Sequence, residues 1–324
     1  MKRDEVYFLS LEIFKYLLNT EKASGEEISK ALGISRATLS RRIKELNEIG
    51  LFVNSDDTGY SIPTNIELWQ APYYLAKLRG AINYRATFLE RCESSQDIAE
   101  EMAKSGAEEG SMVICGEIKS ARGRLRRKWF APPGGLWFSL VLRPKFLEKI
   151  NLISLAMALS VSKAIDEVIG VKIGLKWPND LLVKEKKVGG ILSEAKVDQD
   201  GVIYAIIGVG INMNNSVPDE LKEIATTLKE AAGGSVPILP ILGRSLYIFG
   251  EEYMKLSLKK EKDIIKEWKL RSITVGRRVR VQYMDEIKEG IAVDIDFDGA
   301  LIVKDDNGNR IKIYAGDIIH LSPI

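Results

Sequence analysis

The sequence predicts an α+β chain in three parts: a small helical domain with a β wing, a mixed α/β domain and a C-terminal β-barrel. Three observations predict this order. Helical segments fill most of the first fifty residues, strand-like and helix-like stretches then alternate, and short, closely spaced β stretches follow Ser272. We therefore place the domains at 1–68, 69–271 and 272–324.

The first domain is predicted to hold three helices followed by a wing. Apolar residues at Leu9, Ile13 and Leu17 form the stripe of the first helix. A capping box at Ser24 and Glu27 begins the second. Ser35 caps a third helix over 36–49, and the wing is predicted from strands at 51–53 and 60–62 with a turn at 54–59.

The third helix has a basic outer face. We expect the outward residues to be Arg36, Ser40, Lys44 and Asn47, with Arg41 and Arg42 at the edges. Residues 30–48 hold five basic and two acidic residues, whereas 1–68 hold nine and eleven. Two helices joined by a tight turn, the second of them basic, are typical of a helix-turn-helix DNA reader. Composition leaves a solvated face of a helical bundle as an alternative.

The second and third domains are predicted from alternating patterns. Strands are expected at 112–115, 136–142, 171–177, 181–183, 188–194 and 202–209, and helices at 96–105, 152–169, 218–232 and 240–256. The barrel strands are expected at 278–283, 288–295, 301–304 and 310–314.

Composition excludes several classes of chemistry. His320 is the only histidine, so a histidine-based triad or metal cluster is excluded. Cys92 and Cys115 do not form a CxxC unit and are expected to be inert thiols. The net charge is only +2, and no apolar run reaches the roughly 18 residues of a membrane helix. With a charged start that lacks a signal peptide's apolar core, this predicts a cytoplasmic protein without a membrane partner.

Three central segments suggest chemistry on phosphates. The run Arg122-Gly123-Arg124-Leu125-Arg126-Arg127-Lys128-Trp129 places five cations within seven residues, which suits a polyanion such as ATP, although a basic surface loop or RNA-binding patch has the same composition. A second segment, Lys176-Trp177-Pro178-Asn179-Asp180, must turn after its proline, and Lys187 precedes two glycines. The third, 208–214, ends a strand with Gly-x-Gly, which packing explains equally well.

These segments, in this order, resemble the bifunctional biotin protein ligases. That family has a GRGRxGRxW loop, a KWPND string, a KxxG segment and GxGIN, and Gly59-Tyr60-Ser61 is similar to its wing. The resemblance covers nearly the whole chain. It implies a winged helix-turn-helix, a ligase domain of the class II synthetase type and an SH3-like barrel.

The resemblance also implies an activity. Such enzymes use MgATP to convert biotin into biotinyl-5'-AMP and transfer it to a lysine of a biotin carboxyl carrier domain. Biotin is then both substrate and corepressor precursor, because the adenylate-bound form dimerises and occupies an operator. We accordingly expect ATP and Mg²⁺ as cofactors, and a carrier domain, operator DNA and a second copy of the chain as partners.

Residue roles follow from the same resemblance. Catalytic roles fall on Lys187, Arg124 and Asp180, and Asp180 is also a candidate metal ligand. Biotin is expected to contact Ser94, Ser95, Arg122, Arg124, Trp129, Lys187 and Gly190. ATP is expected to contact Arg122, Arg124, Arg127, Lys128, Lys176, Asn179 and Asn212. DNA is expected to contact Ser35, Arg36, Thr38, Ser40, Arg41 and Lys44.

Four positions depart from the family pattern. Ala121 and Arg126 replace loop glycines, Ile118 stands where a biotin-contacting glutamine is typical, and Gln96 replaces an asparagine. Arg126 is expected to stiffen the loop, since a Cβ resists positive φ. Loss of a polar contact at Ile118 is expected to weaken biotin binding by about 1–2 kcal/mol. A ligand-sensing regulator with a weakened ligase site, a lipoate-type ligase and an RNA-binding protein are the alternatives.

Overall fold

The structure, a computed structural model, describes the chain except for residues 1–2, 21, 64–67, 146–149, 200, 284–285, 315 and 322–324. The first part contains α1 (Arg3–Leu18), α2 (Gly25–Leu32), α3 (Arg36–Glu48), β1 (Asn54–Asp56) and β2 (Gly59–Ser61). The capping box is present: Ser24 Oγ accepts from Glu27 N, and Ser24 N donates to Glu27 Oε2. The three predicted helices are confirmed.

The wing strands and the position of Arg42 in this first part were predicted wrongly. The wing strands are 54–56 and 59–61, whereas Leu51, Phe52 and Val53 form no strand and are buried beneath the helices. Arg42 turns inward, with 2% of its surface exposed, and pairs with Glu45. Tertiary packing determines both features, because neither an apolar run nor a residue at the edge of a helix indicates which segments will pack against it.

A seven-stranded sheet forms the centre of the molecule. Its strands are β3 (Arg85–Cys92), β4 (Ser111–Ile118), β5 (Leu136–Leu142), β6 (Gly174–Lys176), β7 (Asp180–Val183), β8 (Lys186–Asp198) and β9 (Gly201–Ile211). Their order is β3-β4-β5-β9-β8-β7-β6, and only the β3–β4 pair is parallel. The described helices of this part are α4 (Ala71–Leu75), α5 (Ser95–Lys104), α6 (Ile150–Ile169), α7 (Leu228–Ala232), α8 (Ile238–Ser257) and α9 (Glu261–Arg271).

The sheet has an apolar core on each face. Val113, Cys115 and Trp137 pack with α5 on one face, whereas Met112 and Phe138 belong to the larger core that includes α6 and α8. This alternation is the period-two pattern of strands buried on both faces. The face occupied by α5 is the one on which the candidate site lies.

Several central predictions need correction. The segment 218–232, predicted as one helix, is a 3-10 turn at Asp219–Leu221 followed by α7. Its middle is extended because Lys187 N donates to Ile224 O and Thr226 N donates to Lys187 O. The strand predicted at 171–177 is limited to Gly174–Lys176. Strand β3 and helix α9 were not predicted, although Ile264, Ile265 and Trp268, which α9 buries, have the spacing of one helix face.

The two cysteines are paired, which corrects the expectation of inert thiols. Cys92 and Cys115 form a disulfide whose Cα atoms lie 6.4 Å apart. Leu89 pairs with Cys115 and Cys92 with Ile118 in the parallel β3–β4 ladder. The cysteines lie on neighbouring strands of one sheet, and a spacing of 23 residues gave no sign of this pairing.

The C-terminal β domain, the name used here for residue 272 onward, is a five-stranded antiparallel sheet. Its strands are β10 (Arg278–Tyr283), β11 (Glu286–Ile295), β12 (Leu301–Lys304), β13 (Arg310–Ile313) and β14 (Asp317–His320), in the order β13-β12-β11-β10-β14. The four predicted strands are present, and β14 is additional. Among the described residues, no helix is both long and apolar enough to span a membrane.

Candidate active site

A cleft of about 390 Å³ opens on the α5 face of the central sheet. Segments that are distant in sequence line it: the start of α5, the loop 121–130, the turn at 179–180, and parts of β5, β8 and β9. A third side is formed by the segment 217–225. The two cationic segments of the sequence therefore meet in one cavity.

The loop that bears the arginines borders this cleft and has an unusual backbone. Leu125 and Arg126 have φ values of 53° and 57°, a region that favours glycine. Gly123 N donates to Arg127 O, which closes the loop on itself. The expected conflict at Arg126 is thus present, since an arginine occupies a left-handed backbone position.

Arg122 is held by two carboxylates and a hydroxyl. Its guanidinium lies 2.7 Å from Asp97 and 3.3 Å from Glu194, and it donates to Ser94 Oγ at 3.1 Å. Burial opposes the charge of Arg122, but Asp97 and Glu194 more than offset it and raise the pKa of the guanidinium. Neither carboxylate was predicted as a partner, because both pairings depend on how α5 and β8 approach the loop.

Lys187 and Asp180 form the most direct contact of opposite charges in the cleft. Their Nζ and Oδ1 atoms lie 2.6 Å apart, and both side chains are partly exposed. The Lys187 ammonium also lies 5.3 Å from the centre of the Trp129 ring. A Cβ at Gly190 would approach Lys187 Nζ and Asp180 Oδ1 to 3.6 Å, so this glycine leaves the pair open to the cleft.

Arg124 joins the turn after Trp177 to the C-terminal β domain. It donates to Asn179 Oδ1 at 3.5 Å and to Gly316 O at 3.2 Å. Asn179 Nδ2 in turn donates to Ile191 O at 2.7 Å. The arginine loop, the turn and strand β8 are therefore linked through side-chain hydrogen bonds.

Hydroxyl and amide groups form the floor of the cleft. Ser95 and Ser139 share a hydrogen bond of 2.9 Å, Ser139 donates to Gln96 Oε1 and Gln96 Nε2 donates to Ile206 O. Ile118 is also a lining residue, with 8% of its surface exposed. Ser139 was missed because it lies inside an apolar strand with no local motif around it.

The two glycines of the third motif, Gly208 and Gly210, leave space for side chains that line the cleft. A Cβ at Gly208 would come within 2.6 Å of Gln96 Oε1, and one at Gly210 within 2.9 Å of Trp129 Nε1. These distances are shorter than van der Waals contact. Packing against the cleft walls therefore explains Gly208 and Gly210 without any direct ligand contact.

Most residues expected to bind biotin or ATP line the cleft. They are Ser94, Ser95, Arg122, Arg124, Arg127, Lys128, Trp129, Asn179, Asp180, Lys187, Gly190 and Asn212. Lys176, the last residue of β6, is not among the lining residues. Asn212 donates to Thr226 O and so also holds the segment 217–227 in place.

The expected DNA contacts lie on one exposed side of α3. Arg36, Ser40, Arg41 and Lys44 are exposed. Ser35 Oγ accepts from Thr38 N, and the two hydroxyls lie 2.9 Å apart. Asn47, expected to face outward, instead bonds Val53 through both its amide atoms. The basic face is therefore shorter than the sequence suggested.

His320 lies near the turn at 177–180, because its ring contacts Thr274, which bonds Trp177. Desolvation by burial, together with the positive charges of Lys176 and Arg277, lowers its pKa from 6.5 to about 4. Between those two pH values the unfolded chain binds a proton that the folded chain does not. The free energy of unfolding is therefore highest above pH 6.5 and decreases as the pH falls toward 4.

We expect this histidine to make the protein less stable at pH 5 than at pH 7. The full shift corresponds to about 3 kcal/mol, and solvent screening of a half-buried ring reduces the expected loss to about 1–2 kcal/mol. Urea unfolding of the wild type and of His320→Gln at both pH values measures it. The variant should lose less stability than the wild type, and equal losses would contradict the assignment.

Comparison with known proteins identifies each part of the chain. Residues 88–212 match the biotin/lipoate A/B protein ligase family, 274–321 match the biotin protein ligase C-terminal domain, and 10–61 match a helix-turn-helix domain. The bifunctional ligase/repressor BirA of Bacillus subtilis is 33% identical over 95% of this chain and 96% of its own length. That of Escherichia coli is 28% identical, with 96% of each chain covered. A solved biotin protein ligase from Aquifex aeolicus, in complex with biotin and ATP, is 30% identical, covers 72% of this chain and 97% of its own, and has a TM-score of 0.64.

Fold and site together define a ligase whose catalytic sheet is joined to a DNA-binding helix-turn-helix. The matches extend over all three parts of the chain and almost the full length of the Bacillus relative. The chain belongs to the biotin protein ligases of the bifunctional ligase/repressor type.

Proposed function

We propose that this ligase condenses biotin with ATP to biotinyl-5'-AMP, releasing pyrophosphate, and transfers the biotinyl group to a lysine of a biotin carboxyl carrier domain. One observation carries the proposal: four cations of the arginine loop and Lys187 border one cleft with a polar floor, the four being Arg122, Arg124, Arg127 and Lys128. A carboxylate and a triphosphate brought together there are both anions. Fixed positive charge is what their reaction needs as charge moves onto the leaving pyrophosphate.

Each part of the cleft has a task in this reaction. Ser94 and Ser95 offer hydroxyls to the polar ring of biotin, with Trp129 and Gly190 beside its chain. Arg122, Arg124, Arg127 and Lys128 offer positive charge to the phosphates, and Lys187 does so at the carboxyl–phosphate junction. Asn179 and Asn212 border the nucleotide, while Asp180 receives the incoming lysine amine.

Transfer requires no covalent enzyme intermediate. The acceptor amine forms an amide bond with the biotinyl carbonyl carbon, the acyl–phosphate bond breaks and AMP leaves with the electron pair. A neutral amine is needed, so a base must hold the proton that the lysine gives up. Asp180 is the carboxylate that lies in the cleft beside Lys187.

Mg²⁺ would enter with the nucleotide. Among the described residues, no group of three or more histidine, cysteine or acidic side chains is arranged to hold a metal ion. A single carboxylate together with phosphate oxygens suits Mg²⁺, which keeps several waters and demands few protein ligands. Asp180 is the residue of this chain that would contribute, and the ion would neutralise phosphate charge.

Labelling of a carrier domain tests the ligase proposal. MgATP, biotin and the purified carrier domain are incubated with the protein, and both pyrophosphate release and label on the acceptor lysine are measured. We expect both to depend on biotin and ATP together. Lipoate in place of biotin separates the two acyl groups, and stronger competition by lipoate would favour the lipoate-type alternative.

We further propose that the adenylate-bound chain acts as a cytoplasmic homodimeric repressor at an operator. Arg36, Ser40, Arg41 and Lys44 lie exposed on one helix, as reading of a major groove requires. Dimerisation would present two such helices to a pseudo-palindromic site. Operator affinity should rise when biotin and ATP are present, and removing Lys44 should reduce the salt dependence of binding, because a phosphate contact is lost.

Ile118 favours a second candidate, a regulator whose ligase site binds biotin weakly. We expect Ile118→Gln to lower the Kd for biotin about 5- to 10-fold, because a new hydrogen bond is worth about 1–1.5 kcal/mol. Isothermal titration measures this, and Ile118→Leu, which keeps the wall apolar, serves as the matched control. Equal or weaker binding by the glutamine variant would show that the polar groups of the cleft floor already make the hydrogen bonds that biotin needs.

A further inference from the structure

The turn that carries Asp180 is bonded to the C-terminal β domain through one tryptophan. Trp177 has 2% of its surface exposed. Its indole Nε1 donates to Gly299 O at 2.9 Å, and its backbone N donates to Thr274 Oγ1 at 3.0 Å. Both acceptors belong to the C-terminal β domain, so the residue three positions before Asp180 is fixed by atoms about 100 positions away in sequence.

A histidine completes the contact at Thr274. Thr274 is fully buried, and its Oγ1 lies 3.2 Å from His320 Nε2. Since Oγ1 accepts the Trp177 N–H, its own hydrogen is available to a histidine nitrogen that carries no proton. The lowered pKa of His320 keeps the ring neutral at pH 7, so this donation is available there.

From Trp177 the bonded path continues into the cleft. Asn179, two residues on, donates to Ile191 O and accepts from Arg124, and Asp180 pairs with Lys187. Arg124 also donates to Gly316 O. The C-terminal β domain thus contacts the turn on one side and the arginine loop on the other.

We propose that Thr274 and His320 are positioning residues that set the place of the turn 177–180, and through it of Asp180 and Arg124, during catalysis. The inference rests on the proposed ligase activity for its kinetic consequence. It assigns to the C-terminal β domain a part in the geometry of the site, although neither residue lines the cleft. Misplacement of reacting groups by about 1 Å is enough to slow a reaction about 10²-fold.

The test compares isosteric and conservative variants. Thr274→Val keeps the shape of the side chain and removes its oxygen, whereas Thr274→Ser keeps the oxygen. His320→Leu and His320→Gln form the second pair, because the glutamine oxygen can accept as Nε2 does. Ser162→Ala is the matched control: Ser162 is buried, donates to Ile173 O and accepts from Arg271 Nη1, so the variant loses buried hydrogen bonds that do not involve Trp177.

We expect Thr274→Val to lower kcat for biotin-dependent pyrophosphate release about 10- to 100-fold, with KM for biotin and ATP within about twofold. Thr274→Ser and His320→Gln should stay within about threefold of wild type. Thr274→Val and His320→Leu should not add when combined, since they interrupt the same contact. Amide hydrogen exchange in 175–182 should be faster in Thr274→Val and unchanged in Ser162→Ala.

Two results would overturn the proposal. One is unchanged exchange in 175–182 with unchanged kcat in Thr274→Val. The other is an equal loss of kcat in Thr274→Val and Ser162→Ala, which would show that the effect comes from a general loss of stability and not from the position of the turn. If the wild type releases no pyrophosphate, the ligase proposal fails instead, and the exchange measurement still decides whether Thr274 positions the turn.

Discussion

Replacing Lys187 with Met is expected to lower the rate of biotin adenylation about 10³-fold. The change removes the ammonium nearest Asp180 and leaves that carboxylate unpaired in a cleft that must bind two anions. Loss of one preorganised group that stabilises developing charge costs about 10²–10³ in kcat, and an exposed negative charge adds repulsion. Pyrophosphate release under saturating biotin and ATP measures the effect.

The neighbouring lysine provides a matched control. Lys186 Nζ donates to Lys222 O and is not among the residues that line the cleft. Lys186→Met therefore removes the same charge one residue away and should keep adenylation within about twofold of wild type, because exposed surface charges contribute little. Similar losses of adenylation rate in both variants would contradict the assignment of Lys187 to the carboxyl–phosphate junction.

Asp180→Asn is expected to separate the two half-reactions. Asparagine keeps the shape of the side chain and can still accept from Lys187 at the 2.6 Å separation now seen. It cannot accept a proton from the incoming amine. General base catalysis contributes about 10²–10⁴-fold, so transfer should fall by about 10²–10³-fold while adenylation changes by about tenfold or less.

Single-turnover kinetics make this distinction measurable. The adenylate is formed first on the enzyme, acceptor domain is then added in excess, and label on the acceptor is followed with time. Asp219→Asn is the control, since Asp219 lies near the cleft in the segment 217–225 but pairs with Lys222. Transfer at the wild-type rate in Asp180→Asn would show that Asp180 is not the base. Solvent or the nucleotide phosphate would then accept the proton of the amine.

The paired cysteines set a condition for such measurements. Cys92 lies two residues before Ser94, and Cys115 is on the neighbouring strand of the same sheet face. The disulfide is therefore next to the floor of the cleft. Kinetic comparisons among variants should be made in one fixed redox state, because Cys92 is only two residues from the cleft-lining Ser94.

Local signals in the sequence were sufficient for the elements near the DNA-binding face. Ser24, Glu27 and Ser35 cap their helices as predicted, because a cap depends on backbone groups within three residues of it. The same locality explains why Arg42 and Asn47 were misplaced. Arg42 is buried although its partner Glu45 is only three residues away, and Asn47 bonds Val53 in the chain after the helix; helical periodicity indicates neither.

By itself the sequence determined the chemical groups of this protein: the cationic loop, the turn with its aspartate, the lysine before two glycines and the basic helix. Only the tertiary structure decided which of them share one cleft, that Lys176 does not line it, and that Ser139 belongs to its floor. The physical reason is distance along the chain. Capping and periodicity act over a few residues, whereas strand register and domain contacts join atoms such as those of Trp177 and Thr274 that no local pattern relates.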